Sequence, residues 1–247
     1  AGVIDVRFTG GEVTVRRDIW KILRHAKDHL FSISVNTNGV YDDPLSTAKN
    51  FADLDLEQVT VSIDGLRENH NFIRGEGNFE RSVEAMKLMK GTKVKLRINT
   101  VITKKNYQDI PELVELAAEY ALEINFFYMR PIGRAIRLGP LSLTFDELYK
   151  SSRATLTLRE KYPKLSIMHF EQSFTERSIG DFSKDLQQGY PYGNTTINLD
   201  WQGNVWPHGY TTYQDDRFNV GNIYETHLRE IWENSDIIFS TPQCIYN

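Results

Sequence analysis

Four short segments place groups able to hold a ligand just after apolar, β-rich runs. In Phe8-Thr9-Gly10-Gly11-Glu12 two glycines let the backbone come close to a ligand, and Glu12 offers a carboxylate to a ligand ammonium. Alone, the triplet also describes a plain strand-to-helix turn with an acid favoured by the helix dipole. Val35-Asn36-Thr37-Asn38-Gly39 offers amides and a hydroxyl on a tight turn, which Asx-turn chemistry explains in isolation. The third segment, Val59 to Gly65, is followed by Glu68, His70 and Arg74-Gly75. Ser62 and Asp64 share a face by two-residue periodicity and are expected to point into a barrel interior, where a carboxylate must be used or paired, Arg97 being one partner. The fourth is Tyr128-Met129-Arg130-Pro131-Ile132-Gly133.

Metal-ligating residues are sparse. The single cysteine, Cys244, excludes an internal disulfide and any cysteine-only metal site made by this chain as given. His25 and His29 stand at i, i+4 on the first helix, but no carboxylate or third histidine converges on them, so a solvated helix face is expected. His208, in a Trp-Pro-His-Gly turn, is either an unusual ligand or a hydrogen-bonded turn residue.

The elements that must position these groups alternate. Strand-like runs fall at Val3 to Phe8, Phe31 to Val35, Val59 to Ile63, Val94 to Ile102 and Ile124 to Met129, with Leu165 to Phe170 as a sixth. Helical-period segments lie between them, with Ile19, Ile22, Leu23 and Ala26 sharing one face and Val83, Met86 and Leu88 another. A repeat of roughly 25 to 35 residues is what βαβ crossovers need, so a parallel sheet with helices outside is expected. The candidate ligand groups all fall at the C-terminal edge, where parallel α/β folds bind ligands. Thr144 with Glu147 forms a capping box for a helix reaching Tyr162. From about Asp181 the pattern becomes a hairpin around Asp200 to Asn204, then a short helix capped by Thr226 and carrying Leu228, Ile231 and Trp232.

At 247 residues the chain is one large domain or a domain with an appendage. A net charge of -4 removes the broad positive field that nonspecific nucleic-acid or anionic-membrane binding needs. No apolar run approaches the ~20 residues that span a bilayer. A cytoplasmic protein with no nucleic-acid and no membrane partner is expected. The chain opens at Ala1 within three residues of a strand, so processing, or a piece of something longer, is expected.

Taken in order, FTGGE at Phe8 to Glu12, VNTNG, VSIDG with a following IRG, RINTVIT at Arg97 to Thr103 and YMRPIGRA at Tyr128 to Ala135 resemble the successive strand ends of the radical SAM superfamily. INLDWQGNVWPHG and FNVGNIYETHLREIW are similar to its SPASM/Twitch extensions, as in the maturases of PQQ, haem and ribosomal peptides. The resemblance implies an α/β fold: a partial TIM-type (β/α) barrel over residues 1–180 with its first strand missing, then a small α+β SPASM/Twitch-like extension over 181–247. It implies S-adenosylmethionine and a 4Fe-4S cluster as cofactors, with hydrogen abstraction by a 5'-deoxyadenosyl radical. It further implies a peptide or small-molecule substrate and an electron donor such as flavodoxin or ferredoxin. Residue by residue, Gly10, Gly11 and Glu12 would meet the methionine amino group, and Asn36 and Asn38 would line the adenosyl pocket. Ser62 and Arg74 would hold carboxylate or ribose, Asn99 would face the ribose, the backbone of Tyr128, Met129 and Arg130 would pack on adenine, and Asp64 would point toward the same cavity.

The departures are as specific as the matches. The family's CxxxCxxC motif is expected upstream of GGE and is not among these residues; its usual proline after GGE is Val13 here. Near Tyr190, Tyr192 and His208 the cluster-bearing extensions carry cysteines, so an auxiliary cluster with full cysteine ligation is not expected. Two other readings stay open: a catalytically inactive barrel binding a peptide or nucleotide, and a hydrolase pairing Glu12 with Asp64.

Overall fold

In a computed structural model the structure describes residues 2–29, 32–131, 133–169, 196–207, 209 and 216–235. Six parallel strands lie in chain order in one sheet: β1 (Asp5–Phe8), β2 (Ser32–Thr37), β3 (Gln58–Ser62), β4 (Leu96–Ile102), β5 (Glu123–Tyr128) and β6 (Ser166–His169). Between them run α1 (Ile19–His29), α2 (Pro44–Asp53), α3 (Arg67–Arg74), α4 (Asn78–Met89), α5 (Ile110–Tyr120) and α6 (Phe145–Lys161). The order never reverses, and crossovers of one hand wound in one direction put every helix on the same face of the sheet. This is the winding of a barrel wall, open at β1 and β6 among the described residues.

The helices start and stop on local chemistry. Asp43 caps α2 by accepting from the Ser46 amide, with Pro44 at the first position, where a missing N–H costs nothing. The Thr144–Glu147 capping box opens α6 as expected. On α1 the buried seam is Ile19, Leu23 and Ala26. On α4 it is Ser82, Ala85, Met86 and Met89, while Val83 and Leu88, expected on the buried face, are half-buried. These seams meet the apolar side of the sheet, Ile33, Val35, Val59, Val61, Ile98, Ile124 and Phe126, in one core. Each such side chain contributes about 1.5–3 kcal/mol.

The chain divides into two compact units. One, Val3–Met129 with Pro140–Thr175, contains the whole parallel sheet; the other comprises Ala1–Gly2, Arg130–Gly139 and Glu176–Asn247. The expected boundary near residue 180 lies outside the described residues. The second unit holds a small antiparallel sheet, β7 (Asn198–Leu199), β8 (Asn204–Trp206) and β9 (Gly221–Asn222), and α7 (Leu228–Asn234). Asp200 closes the β7–β8 turn, accepting from the Gln202 and Asn204 amides at 2.9 and 3.0 Å, and from Asn204 Nδ2 and Trp206 Nε1 at 3.0 Å each. The cap of α7 is His227 rather than Thr226: its Nδ1 accepts from the Arg229 amide, one residue nearer the helix than expected. Among the described residues no helix is long and apolar enough to cross a membrane.

Candidate functional site

The register of the sheet sorts its polar residues. Parallel partners face the same side, so Asn36, Thr60, Arg97 and Glu123 form one row across β2 to β5. Two residues further along, ~6.6 Å toward the C-terminal edge, Ser62, Asn99, Asn125 and Met168 form the next row across β3 to β6. Both rows lie on the face opposite the helices. Among the described residues, five buried polar atoms on this face have no hydrogen-bond partner: Asn36 Oδ1, Thr60 Oγ1, Arg97 Nε, Asn99 Oδ1 and Asn125 Oδ1. Buried polar groups are nearly always satisfied, so such a concentration marks a surface built for something else to complete. Arg97 is paired with Glu123 at 2.6 Å, not with Asp64, and Gln58 Nε2 also donates to Glu123.

At the C-terminal edge, Gly10 has φ 145°, a conformation that favours glycine, and a Cβ at Gly10 or Gly11 would meet nothing within 4 Å. The turn is therefore open on the side a side chain would occupy. Glu12 ties the ends of β1 and β2 together: Oε1 accepts from the Thr14 amide and hydroxyl and from Thr37 Oγ1 (2.9 Å), and Oε2 accepts from the Asn38 amide at 2.7 Å. The carboxylate is held in place with room on Oε2 for one more donor. Asn38 Oδ1 is occupied by the Val40 amide, the Asx turn that its sequence position also allowed.

Asp64 and Arg74, both expected as ligand contacts, are bonded to each other. Arg74 Nε donates to Asp64 Oδ2 at 2.6 Å, and Asp64 Oδ1 accepts from the Val101 amide at 2.8 Å. The strand ends at Ser62, so the alternation that would have aligned Asp64 with Ser62 stops short of it. With both oxygens engaged and 3% exposure, Asp64 locks the ends of β3 and β4 rather than facing a substrate, and the Glu12–Asp64 hydrolase reading loses its second carboxylate. His70, fully buried, accepts the Asp64 amide on Nδ1 at 3.1 Å. Two residues that motif reading passed over complete the lock. Asn106 donates to the carbonyls of Asp64 and Val101 and accepts from the Thr103 amide and hydroxyl; Asp109 Oδ2 accepts from the Leu66 amide and Asn69 Nδ2. The available signal was Thr103-x-x-Asn106, an Asx- or ST-type spacing directly after a strand.

Tyr128 closes β5 on the helix-facing side by register with Ile102, and the Met129 amide donates to the Ile102 carbonyl at 3.3 Å. Arg130 belongs to the second unit. His29 Nδ1 lies 2.7 Å from the His25 carbonyl, a contact along the helix, and no group of three metal-ligating side chains converges among the described residues. Tyr190, Tyr192, His208 and Cys244 lie outside them.

Comparison with known proteins follows the same division. Residues 1–117 match the radical SAM superfamily model, and residues 191–239 match SPASM, an iron-sulfur cluster-binding domain. The chain belongs to the radical SAM superfamily, in its SPASM branch. It is 28% identical to the AdoMet-dependent heme synthase of Methanosarcina barkeri over 93% of its own length and 68% of that protein. It is 34% identical to the mycofactocin maturase MftC of Mycolicibacterium smegmatis over 53% of its length and 34% of that protein. Among solved structures, SuiB of Streptococcus suis bound to precursor peptide SuiA superimposes with a TM-score of 0.80 at 17% identity, covering 97% of this chain and 56% of that one. The chain thus corresponds to part of each relative. SuiB has also been crystallised bound to S-adenosylmethionine.

The two cofactors of the superfamily fare differently against these residues. For S-adenosylmethionine, the open glycine turn, the anchored Glu12 and the unsatisfied amides of Asn36 and Asn99 are a fitting donor and acceptor set. A 4Fe-4S cluster is implied by both matched families, but its thiolates are not among these residues: neither matched segment contains a cysteine, and one cysteine in the chain cannot supply the three or four that a cluster takes.

Proposed function

We propose that this chain is the S-adenosylmethionine platform of a SPASM-branch radical enzyme that matures a peptide or a cofactor. The observation that carries the reading is the polar face of the sheet, where Asn36 on β2 and Asn99 on β4 keep buried, unsatisfied oxygens, together with the open Gly10-Gly11 turn after β1. Glu12 would take the methionine ammonium, Ser62 and Asn99 the ribose, and Asn36 the adenosyl side. When bound, S-adenosylmethionine supplies the 5'-deoxyadenosyl group for hydrogen abstraction. The residues of this chain bind and orient it, and Asp64, Arg74 and Asn106 hold the strand ends from which they do so. A reduced flavodoxin or ferredoxin in the cytoplasm would be the electron source for the whole enzyme.

Calorimetric titration of S-adenosylmethionine into the 247-residue chain tests this. Asn99→Ala and Ser62→Ala are each expected to weaken binding about tenfold, the worth of one well-formed hydrogen bond. Absence of binding by the wild-type chain, or unchanged affinity in both variants, contradicts the assignment.

These residues hold one cysteine, Cys244, and so are not proposed to hold the cluster themselves. The chain incubated anaerobically with iron and sulfide is expected to gain no cluster absorbance and to retain no stoichiometric iron after desalting. Stable retention of four irons per chain would overturn that expectation.

A further inference from the structure

We infer that Ser82, on the outer helix α4, is a positioning residue for the ligand end of the sheet: through the turn at Asn38 it fixes where the Glu12 carboxylate stands. The inference rests on the S-adenosylmethionine reading in one respect only, that Glu12 takes the ammonium of that ligand.

Ser82 is fully buried in the seam of α4, 44 residues from Asn38 in sequence. Its hydroxyl donates to the Asn38 carbonyl at 2.7 Å and to the Asn78 carbonyl, one turn back in its own helix, at 2.8 Å. The second bond is the ordinary habit of a serine inside a helix, which satisfies itself on its own backbone. The first reaches out of the helix: a hydroxyl has one hydrogen, and here that hydrogen is shared with a loop. A Cβ on Gly39 would lie 3.0 Å from Ser82 Cα and 3.2 Å from Ser82 Cβ, so α4 packs directly on the turn. The preceding residue, Arg81, donates from Nη2 to the Tyr41 carbonyl at 2.9 Å. Two consecutive residues of α4 thus grip the loop that leads from β2 to α2.

What the grip controls is Glu12. The Asn38 amide donates at 2.7 Å to Glu12 Oε2, the oxygen that keeps room for a ligand donor. That amide and the carbonyl held by Ser82 sit on the two planar peptide units that meet at Asn38 Cα, with only φ and ψ of Asn38 between them. Those angles are restrained in turn by Asn38 Oδ1, which accepts from the Val40 amide at 2.7 Å. Fixing the carbonyl therefore fixes the direction of the N–H, and the N–H fixes Oε2. Without the hydroxyl the turn can rock, and the ammonium meets an acceptor that is no longer preset.

Hydrogen exchange followed by NMR on the ligand-free 247-residue chain reads the grip directly. Ser82→Ala is expected to speed exchange of the Asn38 amide about tenfold and to leave the Val101 amide, bonded to Asp64 at the ends of β3 and β4, within about twofold. In calorimetric titrations of S-adenosylmethionine the same variant is expected to bind about fivefold more weakly, and in a Glu12→Gln background to lose less than about twofold further, because the effect passes through that carboxylate. Thermal melts establish that each variant is folded; if alanine unfolds the chain, Ser82→Cys, whose S–H is a weaker donor, takes its place with effects in the same direction. An Asn38 amide unmoved by Ser82→Ala, Asn38 and Val101 amides that speed up together, or an affinity loss as large in Glu12→Gln as in the wild-type chain overturns the inference. A wild-type chain that binds no S-adenosylmethionine sinks only the cofactor reading. There, and wherever Glu12→Gln leaves no measurable binding, the exchange of Asn38 alone decides the inference.

Discussion

Asp64→Ala is expected to lower the unfolding free energy by about 3 kcal/mol, measured by urea denaturation. The carboxylate is nearly inaccessible, its side chain 4% exposed against 29% for Arg74. Removing one member of a buried ion pair typically costs ~3–5 kcal/mol, because the partner charge stays behind without compensation. Here water reaches part of the Arg74 guanidinium and recovers some of that loss, which places the expectation at the lower end. The Val101 amide loses its acceptor as well, in a position where solvent does not reach Asp64 to replace it. Asp64→Asn keeps an oxygen for Val101 and gives up only the charge, so about half the loss is expected from it. The damage is local to the ends of β3 and β4, the segment that carries Ser62 and Asn99, and S-adenosylmethionine affinity should fall in the same order as stability. A loss below about 1 kcal/mol for Asp64→Ala would mean that the pair behaves as an exposed one and does not hold the site.

The strands were legible because each is an apolar run of β-branched and aromatic residues, and buried parallel strands read that way. Their order followed from the crossover rule once the repeat length was seen. What could not be read from one strand at a time was the polar face. Asn36, Thr60, Asn99 and Asn125 look like isolated polar interruptions in apolar runs, and only the register aligns them into rows. The Arg97–Glu123 pair illustrates the same limit: the two residues are 26 apart in sequence and meet because their strands are neighbours in register. Asp64 failed for a different reason. Two-residue alternation holds only while the chain is extended, and the strand ends at Ser62, after which Gly65 at φ 123° turns the chain. A Cβ at Gly65 would lie 2.7 Å from Asn69 Cβ, so the turn is as tightly packed as the core around it. Asn106 and Asp109 sit in a polar stretch that reads as loop; their part is to satisfy backbone groups of distant residues, which composition does not reveal.

Stability should also fall steeply between pH 6.5 and 4, through two histidines held neutral. Burial pushes the pKa of His70 down to about 4 against the opposing pull of Asp64, with Arg74 adding to the depression and Glu80 opposing it. Burial does the same to His169, which Arg159 pushes further in that direction, also to about 4. The geometry agrees with the neutral state. His70 Nδ1 accepts from the Asp64 amide, so the neutral ring carries its hydrogen on Nε2, and the second proton of the charged form would have to go on Nδ1 and displace that bond. His169 Nε2 lies 3.1 Å from Ser151 Oγ, and its Nδ1 is unpartnered. In the unfolded chain both titrate near 6.5. Below that value the unfolded state binds protons that the folded state refuses, so the contribution of each group is whole above pH 6.5 and is lost as pH falls toward 4. By pH 4.5 the loss is about 2.5 kcal/mol per histidine, or about 5 kcal/mol for the pair. Urea midpoints at pH 7, 5.5 and 4.5 would show it as a progressive decline. His70→Asn places an acceptor where Nδ1 stood, and His169→Gln places a polar group where Nε2 met Ser151; neither substitute titrates. The double variant is therefore expected to start less stable at pH 7 and to lose much less on acidification. A wild-type midpoint that stays level to pH 4.5, or a double variant with the same slope, would show that these imidazoles take up protons in the folded state and that the interior around β3 and β6 tolerates the charge.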